Sequence, residues 1–398
     1  MPQRCYSNWL VEWCSLFTNT EVPDNYAVWT GIWTISSTLR NSVGIARGTR
    51  LMHPNLYVLL VGPGSGGKSY SADISISMLE TLGFIELFQG RMSESYMVKY
   101  LSNLSQKQAL LGQPTDPVLS IYSDELAMTV GSGDQALEFL RSMTQLYSSK
   151  FQYGTHAHGM LKVDRATINW LALATVSWLK RSMPKDLIDS GFVARVITQQ
   201  ESLSDKIVPQ LPQIDRDKIL KLQADLIQIS FLSHEYTLSV DAINLHDTWY
   251  RFTRQQRQGI ADPITLNIYG REDEHALRVA MCLMASTGDS SIITQTALRN
   301  AIKLVVDARN SNIDLYRTLA TGDKLIELKE YVKAKILSSE EPITQTDLQK
   351  STASVVPRAA DLREIIKALR EEEIIEAFKA ADSNGILYRR KVVEEESN

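Results

Sequence analysis

The chain has 398 residues, room for one large domain plus one or two smaller ones, and its 44% apolar and 22% charged residues are ordinary for a globular protein. A net charge of −4 excludes a globally basic nucleic-acid coat, although an acidic chain can still carry cations on a few loops. No run reaches the roughly 18 consecutive apolar residues of a membrane span, and Glu12 interrupts what would be the apolar centre of a signal peptide.

Residues 1–50 read as a helical region. Pro23 and Asp24 open a run in which Trp29, Ile32 and Trp33 recur at helical spacing, as for core packing or a subunit contact. Cys5, Cys14 and Cys282 show no C-x-x-C spacing, so neither a disulfide framework nor a zinc site is expected, and a reducing cytosol is the default setting. Over residues 51–209, strand-like runs alternate with amphipathic helical ones: "NLYVLLVG", "FIELFQG", "VLSIYSDE", "INWLALATVS" and "ARVITQQ". That alternation is the pattern of a mostly parallel sheet covered by helices.

After the first strand comes "GPGSGGKS", where Gly62, Gly67, Lys68 and Ser69 satisfy G-x-x-x-x-G-K-[ST] and Gly64 lies inside the loop. Glycines let consecutive backbone N–H groups turn inward around phosphate oxygens, and the following helix adds its positive N-terminal end. The lysine places a charge on the β- and γ-phosphates, while the serine hydroxyl binds magnesium. ATP and Mg2+ are therefore the expected ligands, and this stretch is expected to be a P-loop ATPase core.

Such a loop needs an acidic partner at the end of another strand. "PVLSIYSDEL" supplies Asp124 to orient magnesium and Glu125 to polarise the attacking water; capping of the next helix is the plainer role for the pair. Adjacent acids favour the NTPase division with a catalytic glutamate over simple kinases and small GTPases. "FIELFQG" is then expected as the extra strand inserted between the loop strand and the Asp-Glu strand.

"YSSKFQYGTHAHGMLKVDRATINW" alternates, with Gly154 and Gly159 as turn points, and predicts a β-hairpin. Lys150, His156, His158 and Lys162 make it a candidate DNA contact, an ordinary surface hairpin being the other reading; His-Ala-His lacks a third ligand for a metal. "INWLALATVSW" reads as the strand beside the phosphate loop. Thr175 at its end, or Ser177 nearby, would hydrogen-bond the lytic water or the γ-phosphate. In "DSGFVARVITQQ", Arg195 stands among apolar neighbours and needs an anionic partner. In a ring that partner is the next subunit's ATP, with the arginine stabilising charge in the transition state; an internal salt bridge is the alternative.

Residues 210–322 switch to helical patterning, as in "DRDKILKLQADLIQI" and "EHALRVAMCLMAS", and read as a helical lid. Residues 323–391 give helices and then a strand pair. Thr344 and Asp347 form a capping-box-like start after Pro342, and Asn384-Gly385 is a hairpin turn. That is the winged-helix order. Arg358, Arg363 and Lys367 on its third helix, and Arg389, Arg390 and Lys391 on its wing, could face DNA. Winged helices also dock proteins, and "REEEIIE" is acidic, so both roles stay open. Residues 392–398 read as a disordered tail.

The ordered set of glycine loop, Asp-Glu pair, hairpin, sensor strand and G-F-x-x-R resembles the ring ATPases of phage and prophage replication modules, often described only as a domain of unknown function. These are similar to superfamily 3 and AAA+-type replicative helicases. "NLYVLLVGPGSGGKS", "NWLALATVSWLKRSMPKDLIDSGFVARV" and "REDEHALRVAMCLMA" carry the resemblance over roughly residues 20–315. It implies an α/β, AAA+/superfamily 3-like core working as a homohexameric ring on single-stranded DNA in the bacterial host cytoplasm, with any primase or replisome protein separate. Arg271 and Arg278, seven residues apart, look like the lid helix of minichromosome-maintenance helicases, which makes Arg271 a second nucleotide sensor with Arg278 as the alternative. "ATVSW" departs from the proline-containing strand end of many relatives, which leaves Thr175 and Ser177 both open. A helicase loader or origin-marking initiator is the other functional expectation. A packaging motor is disfavoured, because no nuclease-like carboxylate cluster follows the core.

Overall fold

The computed structural model describes residues 3–390 apart from 111, 113–114, 132–133, 148–150, 156–158, 164, 184–190, 211–212, 340, 354, 357, 372–373 and 380–385. Residues 1–316 form one compact unit and 317–398 a second.

The first unit begins with α1 (Trp9–Ser15) and α2 (Asp24–Leu39), then β1 (Val43–Arg47), β2 (Arg50–Met52) and β3 (Tyr57–Val61). Helix α3 (Lys68–Leu82) starts at the end of the glycine loop. β4 (Leu87–Gln89), α4 (Glu94–Leu110), β5 (Val118–Ser123), α5 (Leu126–Val130) and α6 (Asp134–Leu146) follow. A hairpin of β6 (Phe151–Thr155) and β7 (Gly159–Val163) leads to β8 (Thr167–Ala174), α7 (Val176–Ser182) and β9 (Val196–Gln200). The remainder is α8 (Arg216–Ser230), β10 (His234–Leu238), α9 (Val240–Gln258), α10 (Pro263–Ile268), α11 (Glu272–Thr287), β11 (Ile292–Ile293) and the first part of α12 (Gln295–Leu337).

A five-stranded parallel sheet in the order β4-β5-β8-β3-β9 organises this unit, so the chain is α/β with a mostly parallel sheet. Burial explains the order. All eight residues of β8 and all five of β3 are buried, as central strands require, whereas β4 is short and half-exposed at one edge. This corrects the expectation for "FIELFQG". The strand standing between β3 and β5 is β8, and "FIELFQG" contributes only the edge strand β4 beyond β5.

Helix α2 is buried on nearly all sides, because it lies in the middle of the core rather than on its surface. Its threonines bury their hydroxyls without loss by donating one turn back: Thr30 to Tyr26 O at 2.8 Å, Thr34 to Thr30 O at 2.7 Å and Thr38 to Thr34 O at 2.9 Å. Gly31 is where Trp13 crosses the helix; a Cβ there would lie 2.5 Å from Trp13 Cδ1. Helices α1 and α2 pack on α8 and α11. Trp9 Nε1 donates to Leu222 O at 2.9 Å, and buried Asp225 accepts the backbone N–H groups of Cys5 and Tyr6 at 2.6 and 2.9 Å.

The helical reading of residues 1–50 holds only to Leu39. Arg40, at φ 54°, ends α2, and Val43–Arg47 then forms a strand parallel to β10 in a second sheet of order β11-β10-β1-β2. The patterning of 210–322 likewise hides two short strands among its helices. The predicted hairpin is present, with Gly159 opening β7 and Gly154 inside β6 opposite Met160. Lys150, His156 and His158 lie outside the described residues; Lys162 falls on β7 opposite Gln152.

The second unit takes the end of α12, β12 (Ile343–Thr344), α13 (Gln345–Thr352), α14 (Ala359–Glu371), β13 (Ile375–Lys379) and β14 (Ile386–Arg390). Its antiparallel sheet has the order β12-β14-β13. Val332, Ile336, Leu348, Leu362, Ile366, Leu369 and Tyr388 form its core. Thr344 caps α13 as its spacing predicts, accepting from Asp347 N at 3.1 Å. The turn at Asn384-Gly385 and the tail lie outside the described residues.

Candidate functional site

The glycine loop joins the C-terminal end of a central strand to the N-terminus of α3. Gly67 is the N-cap with φ 75°, a left-handed conformation glycine takes at no steric cost, and Val22 packs 3.2 Å from where its Cβ would stand. Gly62 N donates to Ala174 O at 3.2 Å, tying the loop to the end of β8. Tyr26 Oη donates to Val61 O at 2.7 Å and lies where a Cβ on Gly62 would have to go. Both glycines are therefore fixed by close neighbours from the N-terminal region. Gly64 is open on all sides.

Lys68 is buried and curls back into the loop, where Nζ donates to Gly62 O at 2.8 Å and Pro63 O at 2.5 Å. Burial pulls its pKa below the usual lysine value, and the Asp124 carboxylate partly restores it. Ser69 Oγ donates to Asp124 Oδ1 at 3.0 Å, so the first turn of α3 and the end of β5 meet through the two predicted groups. Asp124 also accepts from Tyr122 Oη at 3.1 Å, and the same hydroxyl reaches Asp73 at 3.4 Å. Desolvation, and then the Asp124 charge, raise the pKa of Asp73. Glu125 is exposed at the N-cap of α5, its side chain not used as a cap. The capping role is thus not the one it fills.

Thr175 is the N-cap of α7 directly after β8; its Oγ accepts from Trp178 N at 3.3 Å and lies 3.1 Å from Ser177 Oγ. The neighbouring carbonyl of Ala174 holds the loop, which puts Thr175 next to it and Ser177 one step farther along.

A donor set of one lysine, one serine, one strand-end aspartate and the N–H groups of a helix N-terminus suits a polyphosphate with its divalent cation. It does not suit an all-protein metal cage. Among the described residues no group of three His, Cys, Asp or Glu side chains could hold a metal. The residues present fit magnesium bound mainly by phosphate and water, with Ser69 and Asp124 as the protein's share.

Arg195 and Arg271 lie elsewhere. Arg195 closes a 3-10 turn just before β9, whose register pairs Val196 with Tyr57 and Gln200 with Val61. It therefore stands at the opposite end of the sheet from the glycine loop. Its Nη1 donates to Gly191 O at 2.6 Å, its Nε is buried with no partner among the described residues, and burial followed by the Arg271 charge lowers its pKa. Arg271 pairs with Glu274 at 2.8 Å and lies 5.9 Å from the Tyr147 ring centroid. Among the described residues, Glu274 is the carboxylate that acts on both guanidinium groups. Arg278 is a separate case. It is buried, donates to His53 O at 2.7 Å and Asn55 O at 2.9 Å, and lies 4.6 Å from the Tyr147 ring centroid. Its charge is spent on the chain entering β3.

Neither the known protein-family models nor the curated proteins give a match to this chain. No helix among the described residues is long and apolar enough to cross a membrane.

In the second unit, Arg358 pairs with Asp361 at 3.1 Å, Lys367 with Glu371 at 3.8 Å and Arg389 with Glu376 at 2.5 Å, while Arg363 Nε donates to Ala359 O at 3.2 Å. These cations are exposed but already partnered. Lys391 lies outside the described residues.

Sequence reading missed Tyr122, Asp73 and Tyr26. Tyr122 was within reach, because a period of two puts it on the same face of the strand as Asp124. Tyr26 carried no signal, since its partner Val61 is far along the chain.

Proposed function

We propose that the chain is an ATP-driven motor of the P-loop class that assembles as a ring and moves on single-stranded DNA during replication of a phage or mobile element. The observation that carries this reading is the Ser69–Asp124 contact at 3.0 Å beside buried Lys68, with β8 between the two strands that supply them. When bound, Mg2+ supplies charge neutralisation on the β- and γ-phosphates. Lys68 and the loop N–H groups would hold the phosphate oxygens, Asp124 with Ser69 would hold the cation, and Glu125 would polarise the attacking water. Thr175, or Ser177 beside it, orients that water in this reading.

The ring is supported by Arg195. It stands too far from its own loop to serve it, and its like-charged neighbour Arg271 makes an outside anion favourable there. Head-to-tail association brings that edge of one subunit to the loop of the next, with six subunits closing the ring. The second unit has winged-helix order. Its paired cations favour docking of a subunit or replisome partner over direct DNA contact.

ATPase rate with and without single-stranded DNA tests the proposal. Strong stimulation together with strand displacement, both lost in Lys68→Ala, is the expected result. Nucleotide-dependent DNA binding without displacement would make the chain a loader or initiator, and no ATP binding by the wild type would end the motor reading.

A further inference from the structure

Helix α4 buries Met97, Val98, Leu101 and Ser102 against the unit. Its opposite side exposes Tyr96, Lys99, Asn103 and Lys107, at the three- and four-residue spacing of a single helix face. Tyr96 is 49% exposed, and its ring stacks on that of Tyr100 with centroids 5.9 Å apart and 26° between planes. Phe88 of the edge strand β4 lies 6.0 Å from Tyr96 and 6.1 Å from Tyr100, so helix and strand together present a ledge of three rings.

The exposed face of α4 itself is basic. Both ionisable groups on the exposed helix face are lysines. The sole carboxylate of α4, Glu94, accepts from Ser142; two acids border the ledge, Glu86 accepting from the Tyr100 hydroxyl and Glu80 accepting from Gln89 of β4 at 2.7 Å. A stack of rings with one member half-exposed, flanked by lysines, suits unpaired bases and the phosphates between them. A duplex would keep its base faces hidden. The helix also packs against β7 of the hairpin, so a strand following that hairpin would cross α4 next.

We infer that the α4–β4 edge, centred on Tyr96 with Lys99 and Lys107, is a base-stacking surface for single-stranded nucleic acid. The inference rests on the DNA-motor reading for its context but not on the ATP site.

The test uses the full chain, with labelled oligo-dT and oligo-U strands titrated by fluorescence anisotropy and a fluorescent ATP analogue titrated in parallel. Tyr96 is half-exposed, so its substitution leaves the core intact. Tyr96→Ala should weaken strand binding about tenfold or more, while Tyr96→Phe stays near wild type. Lys99→Ala with Lys107→Ala should weaken it and flatten its salt dependence. Weakening on either polymer supports the surface, and the polymer affected identifies the sugar. Photocrosslinking of an iodouracil strand should label α4. Wild type that binds no strand, unchanged affinity in Tyr96→Ala, or a changed sedimentation coefficient in that variant with strand affinity intact would each overturn the inference. A chain that grips strands through Tyr96 but binds no nucleotide would sink the ATPase reading and leave this one standing.

Discussion

Replacing Arg195 by alanine separates a residue that serves its own nucleotide from one that serves a neighbour's. The register of β9 on β3 puts Arg195 five residues upstream of the position opposite Val61, a distance of about 16 Å at the rise of a parallel strand. One arginine side chain cannot cover that. A transition-state arginine supplied across an interface is worth roughly a thousandfold or more in kcat, or about 4 kcal/mol. Arg195→Ala alone should therefore lose about that much ATPase activity while still binding ATP, because Lys68, Ser69 and Asp124 are untouched. Mixed at random with an equal amount of Lys68→Ala, it should regain activity, since about one quarter of sites then combine an intact loop with an intact arginine from next door. Steady-state phosphate release from mixtures of confirmed co-assembly measures this. Arg195→Lys and a thermal melt guard against loss of the Gly191 contact being mistaken for loss of chemistry. Activity that stays at the level of the separate variants would refute the cross-subunit role.

Glu125→Gln should bind ATP with near wild-type affinity yet hydrolyse it at least a hundredfold more slowly, read by equilibrium binding beside single-turnover hydrolysis. Gly31→Val forces a side chain into the space of Trp13, which stacks on Trp9 at 5.5 Å and donates Nε1 to Ala27 O at 2.7 Å, so it has nowhere to move. A loss of about 2 kcal/mol or more in urea unfolding is expected. Two buried groups beside the Arg195 region titrate in opposite senses. Burial holds His275 down to about 4, so its stabilising neutral form is lost as pH falls below the unfolded value near 6.5. Burial lifts Glu272 up to about 7, so its contribution is present at low pH and is lost as pH rises from about 4.5. Glu272 should offset His275 in the wild type between pH 6.5 and 4.5, leaving the loss set by His53, His234 and His246, which burial also holds down. Glu272→Gln should steepen the loss over that range by about 2 kcal/mol in urea midpoint, and a profile no steeper than wild type would refute the assignment.

The grouping of Lys68, Ser69 and Asp124 was legible because its signals are local. Gly62, Gly67, Lys68 and Ser69 lie within eight residues, and Asp124 with Glu125 closes an apolar run. Sheet order was not legible, since "FIELFQG" and "INWLALA" are both apolar and only burial on both faces sends one to the centre and the other to the edge. The meeting of Arg195 with Arg271 was hidden for a related reason. Each reads as an isolated cation, and only the packing of α11 under the turn before β9, through His275 Nε2 and Ala194 O at 3.0 Å, brings them together. Arg271 and Arg278 were indistinguishable by spacing. Burial separates them by spending Arg278 on His53 and Asn55.

The pairing of β1 with β10 reaches beyond architecture. Val43 meets His234, roughly 190 residues later, so at a synthesis rate of about 5–20 residues per second the early strand waits some 10–40 s for its mate. During that wait α2, with its tryptophans, has neither α8 nor α11 to cover it. A nascent chain stopped before residue 216 could cover α2 with α1, α3 and strands β3, β8 and β9 alone, so the rest of its surface closes only after the five-stranded sheet is finished.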